Sequence, residues 1–394
     1  MSSRTRVISQ NKSVYVSDTG WYIDADENMI EPHQLHRVDT FSFDVDLAGA
    51  REDIREFGQL ARIGTLSMRE INPTVSFGYY LGDGENELAI GLQSSDTLDK
   101  QIISGILTED VSSREKNIYT VIVKEGEDAF NSSVYQTQSA NHDVIGFGNC
   151  VLTSYGANFA VGEIPRVDVE WESSNIVFYT GGHSGFKNPA INKEGARADA
   201  GLFNLPAPST GSMNVLVLRP DDITVSFLQD EISSGDLGGT NFSNMCIQSC
   251  AIDIPLSRGN IECLGEERAV AKPLEFPIDV TVSINAIVKN FKEGALEYVL
   301  TGTAGNNTTN IAINVKNDAL VDVHNFRLKN AVLDSQAFSQ GLDDNETVDL
   351  TFSAQIGGAN TTTDGLFWSG RAFDITGYSA PEPTSGDAVA AQPI

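Results

Sequence analysis

The side chains in this 394-residue chain with chemistry to offer are four cysteines, five histidines and a large excess of carboxylates. Their spacing decides what each group can do. Cys246, Cys250 and Cys263 fall outside the close-pair pattern of a structural zinc site, and no histidine follows them at ligand distance. With Cys150 they read as small core residues, reduced in a chain that shows no secretory signal. His33 and His36 would share a metal only from one turn of a helix, and Pro32 with its turn-rich surroundings argues for a loop. Asp83-Gly84-Glu85-Asn86 and Asp343-Asp344-Asn345-Glu346 offer oxygens to calcium, but neither keeps the EF-hand spacing, so both read as solvated acidic turns. There is no Gly-x-Ser-x-Gly elbow, no phosphate-binding glycine loop and no His-Glu-x-x-His. Glycoside hydrolysis needs only two carboxylates at the right separation, so this many acids leave it open in principle. No exposed aromatic cluster or convergent pair accompanies them. The expectation is a protein that is not an enzyme, with no cofactor and no metal.

The carboxylates with the clearest placement sit on a strand. Val167-Asp168-Val169-Glu170-Trp171-Glu172 alternates strictly, which turns Val167, Val169 and Trp171 toward a core and gathers Asp168, Glu170 and Glu172 on the opposite face. Val348-Asp349-Leu350-Thr351-Phe352 repeats the pattern and adds Asp349.

That repetition belongs to a duplication of the whole chain. Asp253 to Ile284 has a weaker copy between Asp44 and Phe77, and Gly58 and Gly265, Val75 and Val282, Phe77 and Ile284 are each 207 residues apart. A second pair of passages, Asn149 with Asn330 and Val167 with Val348, keeps an offset of 181. Constant offsets argue for shared ancestry over chance alternation. Ala50 to Leu60 reads as an amphipathic helix whose stripe includes Ile54 and Phe57, with Ile261 and Leu264 as their counterparts, facing either each half's own core or a neighbouring subunit. Gly82 to Asn86 reads as a tight turn closing a hairpin between Thr74–Leu81 and Glu87–Leu92.

The expected fold is mainly β, with two tandem related β-sandwich domains, each with a short flanking helix and long loops. The corresponding boundaries are an arm over 1–34, domain one over 35–180, a linker or long loop over 181–211, domain two over 212–356, and a loop and flexible tail over 357–394. A formal charge of −28, from 54 acidic against 26 basic residues, argues against a surface that grips nucleic acid, because such binding rests on Lys and Arg displacing counterions. No apolar stretch approaches transmembrane length, and no signal-like segment follows the basic N-terminal residues.

The passage Ile252 to Ile284, together with Gly148-Asn149-Cys150-Val151-Leu152 and Gly162-Glu163-Ile164-Pro165, resembles the major tail tube proteins of long-tailed bacteriophages. The resemblance covers about a third of the chain and departs from the family pattern after Gly341, where Leu342-Asp343-Asp344 replaces the Ile-Pro step. It implies a structural virion protein that assembles into stacked rings around a channel for the genome. With two such domains it further implies a homotrimer imitating a hexamer, of the flexible, sheathless type. Expected partners are further copies of the chain and other tail proteins at the tube ends; DNA passes without specific binding, and no membrane is involved. Asp168, Glu170, Glu172 and Asp349 then become candidates for the channel wall, and assembly would occur in the host cytoplasm. The rival readings are another tail component, a terminator or decoration protein, and a carbohydrate-binding or carbohydrate-cleaving β-sandwich.

Overall fold

The computed structural model describes residues 12–19, 32–46, 51–67, 72–95, 97–108, 115–123, 142–179, 186–192, 202–203, 205–206, 223–228, 246–265, 268–287, 308–316, 322–339 and 347–370. These residues are mainly β, in large antiparallel sheets, with two short helices. In the first half the strands are β1 (Lys12–Asp18), β2 (His33–Leu35), β3 (Val38–Asp44), β4 (Arg51–Ile54), β5 (Gly64–Ser67), β6 (Thr74–Tyr80), β7 (Lys116–Val123), β8 (His142–Ala160), β9 (Arg166–Glu172) and β10 (Asn175–Tyr179). The helices α1 (Glu85–Ala89) and α2 (Ser104–Leu107) lie between β6 and β7. After the short pair β11 (Phe186–Lys187) and β12 (Leu202–Phe203) come β13 (Ile223–Leu228), β14 (Cys246–Pro255), β15 (Asp279–Ile287), β16 (Thr308–Lys316), β17 (Asp322–Ser339), β18 (Thr347–Gln355) and β19 (Gly365–Gly370).

The duplication read from the sequence is present in the hydrogen-bonded ladders. The pairs β1·β7, β3·β6, β6·β9, β7·β8, β8·β9 and β8·β10 recur as β13·β16, β14·β15, β15·β18, β16·β17, β17·β18 and β17·β19. The registers agree residue for residue. Phe43 faces Val75 as Ile252 faces Val282, and Leu152 faces Trp171 as Leu333 faces Phe352. Even the irregularities coincide: the ladder slips between Leu152 and Ser154 and again between Leu333 and Ser335. Asn149 and Asn330 both take positive φ in the middle of their long strands, a backbone state Asn tolerates better than other non-glycine residues. At that point β8 and β17 pass from one sheet layer to the other: their early parts pair with β7 and β10, or β16 and β19, and their later parts with β9 or β18.

Burial follows the pleat. On β9, Val167, Val169 and Trp171 are buried while Asp168 and Glu170 are exposed, and β15 and β18 alternate in the same way. The buried faces of both layers share one core, in which Phe77, Tyr79 and Trp171 meet Val14, Ile118 and Phe147, and Ile284 and Phe352 meet Phe326 and Trp368. Fully burying side chains of this size contributes roughly 1.5–3 kcal/mol each, which offsets the ordering cost of so many strands.

Three local expectations are corrected. Residues 51–60 are not a helix: Arg51–Ile54 pairs with Gly64–Ser67 as a hairpin, with Gly58 at positive φ in its turn. A stripe at helical spacing stabilises a helix only when a surface covers it, and here nothing in the described chain does. Gly82–Asn86 does not close a hairpin. Gly84 caps α1 instead, and acidic Glu85 and Glu87 in the first turn suit a helix start. Gly365–Gly370, within the stretch read as loop and tail, is a strand paired with β17 that carries the buried Trp368. The acidic turn at Asp343 lies outside the described residues. No described helix is long and apolar enough to cross a membrane.

Candidate functional site

The strands β3, β6, β9, the later part of β8, β14, β15, β18 and the later part of β17 hydrogen-bond in that order as one continuous run across both halves. One face of this run is the core. The other presents short polar and acidic side chains. Asp168 lies opposite Gly78 on one side and Gly156 on the other, and Gly156 lies opposite Asp253. Asp349 lies opposite Asn285, whose side-chain amide donates to its carboxylate at 2.5 Å. Asp168, Glu170, Glu172 and Asp349 therefore share one face of one sheet.

Sequence reasoning left out Asp44, Asp253 and Asp279, which stand at the same face positions on β3, β14 and β15. The available signal was the 209-residue spacing between Asp44 and Asp253. Among the described residues of these rows Arg166 is the cation, and Asp39 at 2.7 Å and Asp168 at 3.0 Å hold it. Glu172 is half-buried and paired with Lys272 at 2.9 Å, so it is the least free of the predicted acids. Partial burial raises the Asp253 carboxyl above its ordinary range.

The repeated apolar stripe lies outside the core. Phe57 and Leu264 are fully exposed, and Ile54 and Ile261 are about half exposed. Phe57 occupies the tip of the β4–β5 arm beside Gly58, and Leu264 the matching tip beside Gly265, both glycines at positive φ. Each arm is held by the same main-chain bonds: Ile63 donates to Ile54 as Val270 donates to Ile261. The arms are thus two equivalent projections ending in an uncovered apolar residue.

No protein-family model and no curated protein matches the chain. A solved structure is similar. It is the SPP1 tail tube, a hybrid structure from solid-state NMR and cryo-EM, at 13% identity over 43% of this chain and 96% of that chain, with a TM-score of 0.27. Likeness at this level carries no argument by itself.

The two halves meet through well-defined chemistry. β14 pairs with the outer edge of β8, and the loop after it lies over β8 and β9, where Arg258 donates to the Leu152 carbonyl and Arg268 to that of Ser174. In the other direction, the segment carrying α1 and α2 covers β19. The Ile102 amide donates to the Leu366 carbonyl, the Gln101 side chain donates to the carbonyls of Thr361 and Asp364, and Gly84 sits where a β-carbon would touch the Trp368 ring at 3.0 Å. His324 is stacked with Trp368 and Phe326. Its Nδ1 accepts from Trp368 Nε1 at 3.1 Å, so Nε2 donates to the Gly82 carbonyl at 2.7 Å. Burial pushes this imidazole down to about 4, fixing it neutral.

On the same segment burial raises Glu87 to about 7, and burial together with the neighbouring Asp83 charge raises Glu85 to about 7. Cys150 and Cys250 are buried, with thiols raised to about 12 by burial, while Cys246 and Cys263 are exposed. His36 is anchored through its backbone to the Asn86 side chain, and His33 lies on β2. Among the described residues no group of His, Cys, Asp and Glu is arranged to hold a metal ion.

Proposed function

We propose that this chain is a structural virion protein, a bacteriophage tail tube subunit that self-assembles into stacked rings around a channel for the genome. The observation that carries the reading is the continuous strand run across both halves, apolar on one face and acidic with short side chains on the other. Such a sheet is suited to the wall of a conduit. The apolar face is already covered by the second layer of each half, so the acidic face is the one left for the lumen. A wall bearing Asp168, Glu170, Asp253 and Asp349 repels a phosphate backbone, and among the described residues of these rows the cation Arg166 is already held by Asp39 and Asp168.

The exposed tips at Phe57 and Leu264 support self-assembly. Two equivalent projections each ending in a bare apolar side chain are suited to contacts with the next ring along the tube. With two equivalent units per chain, three chains supply six units to a ring. Other tail proteins would meet the tube at its ends, and DNA would pass without specific binding.

Negative-stain electron microscopy of the concentrated protein tests the proposal. The expected result is tubes or stacked rings with a stain-filled channel and threefold symmetry end-on. Monodisperse particles that persist across salt and protein concentration would refute it and return the decoration and carbohydrate-binding readings to the front.

A further inference from the structure

The junction between the halves has a counterpart that the chain leaves open. In the closed junction, Ile252 of β14 lies opposite Ala157 of β8, and Asp253 opposite Gly156. The halves correspond residue for residue, so β3 is the counterpart of β14, and the later part of β17 is the counterpart of the β8 edge that β14 occupies. Among the described residues β3 pairs only with β6, and 335–339 of β17 only with β18.

Burial records the difference at each equivalent position. Phe43 is 41% exposed where Ile252 is 1%. Val332 is 44% exposed where Val151, beside the docked arm, is 2%. Phe178 is 60% exposed where Trp368, under the α1 segment, is 0%. Gln336, at the open edge, has a side-chain amide that is shielded from solvent with neither polar atom hydrogen-bonded. Three surfaces that the internal junction covers in one half are bare in the other.

We propose that β3 and the β4–β5 arm of one copy of this chain dock on the open edge of β17 in a second copy, repeating between chains the junction that exists within one. The register follows from the internal one. Phe43 comes opposite Phe338, Asp44 opposite Ala337, and Val45 opposite Gln336, antiparallel. Among the described residues neither edge has a second partner strand for its outward main-chain donors and acceptors, which this ladder satisfies, and such edges are otherwise a hazard for uncontrolled association. The arm of the incoming copy reaches over Val332 as its counterpart lies over Val151. The two edges differ, so the contact is head-to-tail and propagates in one sense until it closes. A closed ring of these chains therefore alternates internal and intermolecular junctions. The inference rests on the self-assembly reading above and adds its interface and register.

Disulfide trapping tests it in the full-length chain, with Cys246→Ser and Cys263→Ser removing the exposed thiols. Asp44→Cys with Ala337→Cys places facing residues about 4.5–5.5 Å apart across the proposed ladder, within disulfide reach. Asp44→Cys with Ser335→Cys displaces the pair by two residues, to about 7–8 Å, which is too far without backbone movement. After oxidation of assembled protein, the in-register pair is expected to give a ladder of covalent dimers and trimers on a non-reducing gel, and the displaced pair is not.

Assemblies visible by microscopy that yield no ladder, or the same ladder from both pairs, would overturn the β3–β17 pairing while leaving the tube reading standing. A chain that stays monomeric at every concentration overturns both. Hydrogen exchange on the unsubstituted protein covers the case in which the cysteine variants fail to assemble. Amides of β3 and of 335–339 should become protected on assembly, and unchanged exchange there would overturn the interface.

Discussion

Glu87 should make the stability of this protein fall as pH rises toward neutrality. The side chain is fully buried on α1, in the segment that one half lays over the other, and burial raises its carboxyl from an ordinary 4.5 to about 7. Below pH 4.5 the group is protonated in both folded and unfolded chains and costs nothing. Between 4.5 and about 7 the unfolded chain releases the proton while the folded chain keeps it, so folding becomes less favourable with each increment of pH. Above about 7 the loss is complete, and a displacement of that size corresponds to roughly 3 kcal/mol. His324 works in the opposite direction. Its imidazole is held neutral down to about 4, so its contribution is lost as pH falls from 6.5 through that range.

Replacing Glu87 by Gln keeps the shape and removes the ionisation. Urea melts of the monomeric protein at pH 5 and pH 8.5, read by tryptophan fluorescence and extrapolated linearly, give the two stabilities. The variant is expected to match the parent within about 1 kcal/mol at pH 5 and to exceed it by roughly 2–3 kcal/mol at pH 8.5. Glu85→Gln serves as the companion, with a smaller gain because its carboxyl is only half-buried. Parallel pH profiles for the parent and Glu87→Gln would refute the reasoning, since they would mean that the buried carboxyl does not ionise differently in the two states.

Phe57→Ser with Leu264→Ser should leave monomer stability within about 0.5 kcal/mol, because exposed tips contribute little to the fold, yet abolish or shorten tubes in electron micrographs. Unchanged tube length would remove the arms from the assembly. A thiol reagent at neutral pH should titrate Cys246 and Cys263 in the native monomer and reach Cys150 and Cys250 only after denaturant, because buried thiols raised to about 12 present almost no thiolate. Rapid modification of all four would contradict the burial of β8 and β14.

The sequence alone determined what depends on local periodicity and on comparison of the chain with itself. The alternation at Val167–Glu172 was enough to place three acids on one face, because a strand has a period of two whatever surrounds it. The spacings of 207 and 181 were enough to pair Gly58 with Gly265 and Asn149 with Asn330, each pair sharing a positive φ in the structure.

The tertiary structure decided what depends on the surface an element meets. Ile54 and Phe57 have helical spacing, but a cross-strand partner at Gly64 and the lack of any covering surface make the segment an exposed hairpin. Gly82–Asn86 reads locally as a hairpin turn and Glu87–Leu92 as the strand after it, yet Glu85–Ala89 folds as a helix whose cap, Gly84, packs against Trp368 of the distant strand β19. That Asp168 and Asp349 lie on a single continuous sheet follows from β14 joining the edge of β8, and that Phe43 is bare where Ile252 is buried follows from β3 joining no such edge among the described residues. Repeats can be read by aligning a sequence with itself; which of two equivalent edges is filled depends on a pairing between distant segments, to which local spacing is blind.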